Sequence, residues 1–176
     1  MADKKMLAQQ VYQTVCAALE DRDWNFEKEE SDLLVRFGVR GDDIPIEFII
    51  AVDEERQLIR VMSPLPFKMS EDNRVTAAIA VCAANFGMAD GSFDYDLTDG
   101  RIVFRMTASF RESTIGQLLI QYMISCTIAM VDEYNDKFLA LNSGVMKVED
   151  FFKKDSEPGR CGTFCGGPFA IEMEYA

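Results

Sequence analysis

Apolar residues recur at helical spacing from the start of the chain: Leu7, Val11, Val15, Ala18 and Leu19 share one face of the stretch 3–20, which predicts an amphipathic helix. The polar run "DRDWNFEKEESD" breaks that period. Three apolar runs follow, "LLVRFGV" (33–39), "IPIEFIIAV" (44–52) and "RQLIRVMS" (56–63), separated by "RGDD" and "DEE". Apolar runs with turn-forming separators predict a three-stranded antiparallel meander. Pro64 and Pro66 in "SPLPF" lack the N–H that a ladder requires, so the third strand is expected to stop there.

Beyond Ser70, "EDNRVTAAIAVCAANF" opens with acidic residues, and Val75, Ala78, Ile79, Cys82 and Phe86 line up at helical spacing. A second helix over 71–86 follows. "GSFDYDL" and "RIVFRMTASF" alternate strictly and are joined through Asp99-Gly100, which predicts a hairpin. Phe93, Tyr95 and Leu97 share one side of its first strand, and Ile102, Phe104 and Met106 one side of its second. A long third helix begins near Ser113 or Thr114 and ends at about Asn142, where Ser143-Gly144 supplies a left-handed stop. The short helical turn "VMKVEDFF" comes next.

The run "STIGQLLIQYMISCTIAMV" (113–131) contains no charge, which raises the question of a membrane span. Its content argues otherwise, because Gln117, Gln121 and Ser125 form a polar stripe along it. Two apolar sectors flank the stripe. Ile120, Ile124, Val131, Tyr134 and Phe138 make the natural face for the sheet. The sector of Leu119, Met123, Cys126 and Met130 stays apolar until Glu133 and Lys137, and is expected to be a dimer or partner interface unless Leu7, Val11 and Val15 of the first helix cover it.

From Lys153 the composition turns to "KKDSEPGRCGTFCGGP", a Gly-rich linker, so the domain is expected over 1–152 with a tail over 153–176. The last residues alternate again. Phe169, Ile171, Met173 and Tyr175 fall on one side and could add as an edge strand to a sheet.

Charge and composition narrow the function. The 176 residues carry 18 basic and 30 acidic side chains, a net charge of −12, with no basic cluster suited to phosphate. Neither nucleic acid nor an anionic membrane surface is an expected partner. The first twenty residues mix polar and apolar positions and do not read as a signal peptide. Five cysteines, three of them inside apolar helical runs, fit a reduced compartment, and the protein is expected to be cytoplasmic. There is no histidine, which removes histidine acid–base chemistry, nucleophile–histidine pairs and histidine metal ligands. The acidic groups at 42–43, 53–55 and 94/96 read as turn residues and a solvent face of a strand. Cys161 and Cys165 lie four apart in a glycine-rich stretch but lack two further ligands, so no metal and no cofactor is expected.

The order helix, three strands, helix, two strands, long helix resembles the type III secretion chaperone-like fold. Within it the chain is similar to the YbjN family, bacterial proteins described as sensory transduction regulators. "RVMSPLPFKM", "AANFGMADGSFDYDLTDGRIVFRM" and the long helix after it carry the likeness, with Asn85 ahead of the hairpin and Asp99-Gly100 at its turn. The resemblance spans roughly residues 3–142. It implies an α+β fold in two layers, α-β(3)-α-β(2)-α, with a five-stranded antiparallel sheet. It brings no catalytic residues, and secretion chaperones of this fold act as dimers that bind extended client segments. The function expected is therefore a non-enzymatic, cytoplasmic, homodimeric protein-binding module, regulatory or chaperone-like. The alternative is a small-molecule sensor or enzyme with a site between sheet and helices.

Overall fold

The first helix forms where its apolar spacing places it: α1 spans Ala2–Glu20 and buries Ala8, Val11, Val15, Ala18 and Leu19. The chain is seen here in a computed structural model that describes residues 2–86 and 88–151. Cys161, Cys165 and the expected edge strand of Phe169, Ile171, Met173 and Tyr175 lie outside the described residues.

A short strand, β1 (Phe26–Glu29), follows α1 within the run that breaks the helical period. It pairs antiparallel with β2 (Leu34–Arg40), Phe26 opposite Phe37. Trp24 then sits 5.6 Å from the Phe37 ring, which stacks on Phe48 at 4.7 Å. With a single apolar residue among four, β1 carries too little alternation to show in the sequence, and its pairing with β2 is what holds it extended. The meander continues through β3 (Pro45–Asp53) and β4 (Leu58–Lys68).

β4 runs through both prolines instead of stopping at Ser63. The ladder with β3 ends at Ile49 opposite Met62, and beyond it β4 pairs on one side only, with an irregular register between Pro64 and Lys68. A strand tolerates proline where one side has no neighbour or where the ladder bulges, and both conditions hold here.

A 3-10 turn at Glu71–Asn73 leads into α2 (Arg74–Phe86), and β5 (Ser92–Tyr95) and β6 (Arg101–Ser109) form the expected hairpin. Gly100, at φ 79°, turns it, and its carbonyl accepts the Met69 N–H at 2.8 Å. A Cβ at Gly100 would run into the Met69 carbonyl, so the turn needs glycine for space as well as for its dihedral. α3 (Gln117–Asn142) starts later than the sequence suggests, with Gly116 as its N-cap, and ends before Gly144 at φ 74°. α4 (Val148–Phe151) packs against α2.

The fold is α+β, but among the described residues its antiparallel sheet has six strands, not five, in the order β1-β2-β3-β4-β6-β5. Buried residues alternate along the strands, Ile46, Phe48, Ile50 and Val52 on β3 and Ile102, Phe104 and Met106 on β6, which is how a sheet covered on one face reads. α1 and α3 pack on that face, α3 over β4 and β6, and α2 lies by β5 at the sheet's end. Asn142 ties the end of α3 to the link between β4 and α2. Its Oδ1 accepts the Ser70 N–H at 2.8 Å and its Nδ2 donates to the Lys68 carbonyl at 3.1 Å.

Candidate binding surface

The apolar line that spacing picks out on α2 faces outward. Ala77, Ala80, Val81 and Ala84 are buried, whereas Val75, Ile79 and Phe86 are 72%, 46% and 94% exposed and Cys82 is exposed beside them. At about 100° per residue the two sets lie on opposite sides of the helix. Small side chains on the inner side let the α2 backbone approach β5 and α3 closely, and the larger apolar groups are then left facing outward. After Arg74 the helix contains no charged residue, so periodicity alone could not tell its two faces apart. The signal that was available is the Ala77–Ala80–Ala84 line, because close packing of a helix favours small residues at the contact.

The residues expected to form an interface on α3 divide. Met123 and Cys126 are buried, at 1% and 2% exposure, Met130 is half-buried and Leu119 is 40% exposed. A second copy resting there would reach Leu119 and part of Met130, with Met123 and Cys126 already enclosed by their own chain. The cover near Cys126 includes the segment between α2 and β5: Tyr122, one turn earlier, donates its hydroxyl to Asp90 at 2.5 Å. Burial, and after it the Asp90 charge, pushes the Cys126 thiol up to about 11.

Other groups with chemistry are held in structural roles. Arg105 makes a two-pronged contact with Asp94 across the β5–β6 hairpin, its Nη2 3.0 Å from Oδ1. Asp53 faces Arg56 and Arg60, each at 3.5 Å, and Asp99 bridges Lys68 and Arg101. Burial raises the Cys16 thiol, and a thiol kept protonated is a poor nucleophile. Among the described residues no three Cys, Asp or Glu side chains gather as a cation site. An open hollow of about 700 Å³ lies between the start of α1 and the segment before α3, lined by Lys4, Met6, Leu7, Gln57, Glu112 and Thr114 among others. It sits at the ends of these elements and contains none of the interface candidates. No described helix, α3 included, is long and apolar enough to cross a membrane.

The family model YbjN, "Putative bacterial sensory transduction regulator", matches residues 12–140. The chain belongs to the YbjN family. The match runs from α1 almost to the end of α3 and includes the whole sheet. Among solved structures the chain is similar to one titled "Crystal structure of YbjN, a putative transcription regulator from E. coli", with a TM-score of 0.54 and 12% identity over 72% of this chain and 92% of that one. At that identity the likeness shows a shared YbjN fold and no more. No curated protein matches the chain.

Proposed function

We propose that this YbjN-family chain is a regulator that works by binding another protein through the outer face of α2, without transforming a substrate. The observation that supports the reading is the exposed apolar line of Val75, Ile79 and Phe86, on a helix whose opposite face is already buried. Single exposed apolar residues are ordinary, but three large ones on one stripe of one helix make the kind of contiguous patch that partners bury. An apolar helix face is suited to an apolar stretch of a partner, extended or helical, with affinity coming from a few large side chains. The absence of histidine and the protonated state of the buried thiols support the non-enzymatic side of the reading.

The test compares immobilised wild-type chain with Ile79→Glu and Phe86→Glu in extract from the native cells, with circular dichroism to confirm that both variants fold. A protein held by wild type and lost from both variants is the expected outcome. A set of bound proteins that neither substitution changes would overturn the assignment.

A further inference from the structure

We propose that the C-terminal segment Phe169–Tyr175 of the same chain rests on the outer stripe of α2 and masks it until a partner takes its place. The inference builds on the reading of α2 as the binding face and adds how that face is regulated.

The point of departure favours it. α4 packs against α2, and Phe151 anchors the end of α4 with its ring 5.2 Å from Phe138 and 6.1 Å from Tyr134. The last described residue, Phe151, therefore ends α4 beside α2. The stretch 152–168 reaches on the order of 50 Å when extended, so the whole of α2 is within range.

Pattern and length also agree. In extended backbone Phe169, Ile171, Met173 and Tyr175 project to one side over about 20 Å, and Val75 to Phe86 span about 16 Å of helix axis. Glu172 and Glu174 fall on the other side of the segment and remain in water. α2 has no acidic side chain to repel them.

The sheet edges are poorer seats for the segment. On β5, the strand nearest to α2, both outward main-chain groups of Phe93 are taken by Asn85, whose Oδ1 accepts the N–H at 2.8 Å and whose Nδ2 donates to the carbonyl at 2.9 Å. The other edge, β1, lies at the far end of the sheet and offers Glu27, Lys28 and Glu29. A segment tethered to the same chain has an effective concentration of about millimolar, an advantage a second copy lacks in dilute solution.

Cys82 lies on the stripe and reports on its cover. In full-length chain carrying Cys161→Ser and Cys165→Ser, the remaining described thiols, Cys16 and Cys126, are buried. The rate of Cys82 alkylation by N-ethylmaleimide, mapped by mass spectrometry, is compared with that in the same chain carrying Phe169→Asp, Ile171→Asp and Met173→Asp. Tenfold or greater acceleration with the altered segment, at a rate independent of protein concentration, is expected. Equal rates with both segments would overturn the proposal, and so would protection that survives the alteration and grows with concentration, which is the mark of a second copy. Partner capture is then read on the altered-segment chain. Capture lost with Phe86→Glu but no stronger than in the unaltered chain sinks the masking alone, whereas capture indifferent to Phe86→Glu sinks the α2 reading beneath it.

Discussion

The carboxamide of Asn85, at the end of α2, pairs with both main-chain groups of Phe93 on β5, as a neighbouring strand would. β5 is the last strand of the sheet, so this side chain closes an edge that would otherwise present a free N–H and C=O. The Phe93 ring meanwhile points inward, 5.0 Å from Phe104, 5.2 Å from Phe138 and 5.4 Å from Tyr134. One residue thus ties a helix end, a strand edge and an aromatic cluster together. Asn85→Ala leaves two part-buried main-chain groups unpaired and is expected to cost about 1–3 kcal/mol in urea unfolding, with faster exchange of the Phe93 amide. Unchanged stability and unchanged exchange would show that water replaces the carboxamide without loss.

What the sequence revealed of this fold follows the strength of each local signal. α1 and the β5–β6 hairpin were legible because one apolar face and one Asp-Gly turn point the same way as the tertiary packing. β1 was hidden because pairing with β2, and not its own composition, keeps it extended. The prolines of β4 misled because a strand's tolerance for proline depends on whether a neighbour is present, and neighbours are a tertiary fact. On α3 the sheet-facing sector of Ile120, Ile124, Val131, Tyr134 and Phe138 was readable, and all but the half-buried Tyr134 are buried. The candidate surface was half legible: Val75, Ile79, Cys82 and Phe86 were recognised as one line, but a helix apolar on every side does not say which side faces in.

Alkaline pH should weaken the fold. Burial, with Cys16 beside it, pushes the Tyr12 hydroxyl up to about 12, while the bond to Asp90 and then burial hold Tyr122 above the ordinary phenol range. Burial also raises Tyr95 and Tyr134. The unfolded chain therefore gives up these protons first, near pH 10. The stabilisation is complete below that value and is lost as pH rises toward about 12. Unfolding midpoints should fall over this interval, with phenolate absorbance appearing later in folded than in urea-unfolded protein. Tyr122→Phe should flatten the fall and cost on the order of 1 kcal/mol at neutral pH.

Asp132 should act in the same sense, but in the acid range. It lies on α3 and accepts the Asp42 N–H at 3.2 Å; burial, with Asp42 and Asp43 close by, raises its carboxyl above the ordinary 3.8. The folded state therefore holds this proton more tightly than the unfolded one, so the ionised group opposes folding at neutral pH and that opposition fades as pH falls through the raised value toward 3.8. Asp132→Asn keeps an oxygen for the Asp42 N–H and removes the charge. Its melting temperature should rise at neutral pH and match wild type in strong acid. A lower melting temperature at neutral pH would mean that the charged hydrogen bond outweighs burial and repulsion.

The orientation of α2 makes the most direct prediction, because the two ways of facing the helix exchange the consequences of neighbouring substitutions. If the line of larger residues faced the core, replacing Ile79 with Gln would bury an amide and remove a packed branched side chain, while Ala80→Leu would place an apolar group in water at little cost. With Ala80 fully buried and Ile79 46% exposed, the order is inverted. Leucine at position 80 has to fit where an alanine is already fully enclosed, and overfilling of that kind costs about 1–3 kcal/mol. Ile79→Gln leaves this contact untouched and forfeits only what covers the outer stripe. Chemical unfolding of the two variants should therefore rank Ala80→Leu as clearly the less stable, and the opposite ranking would place Val75, Ile79 and Phe86 back in the core.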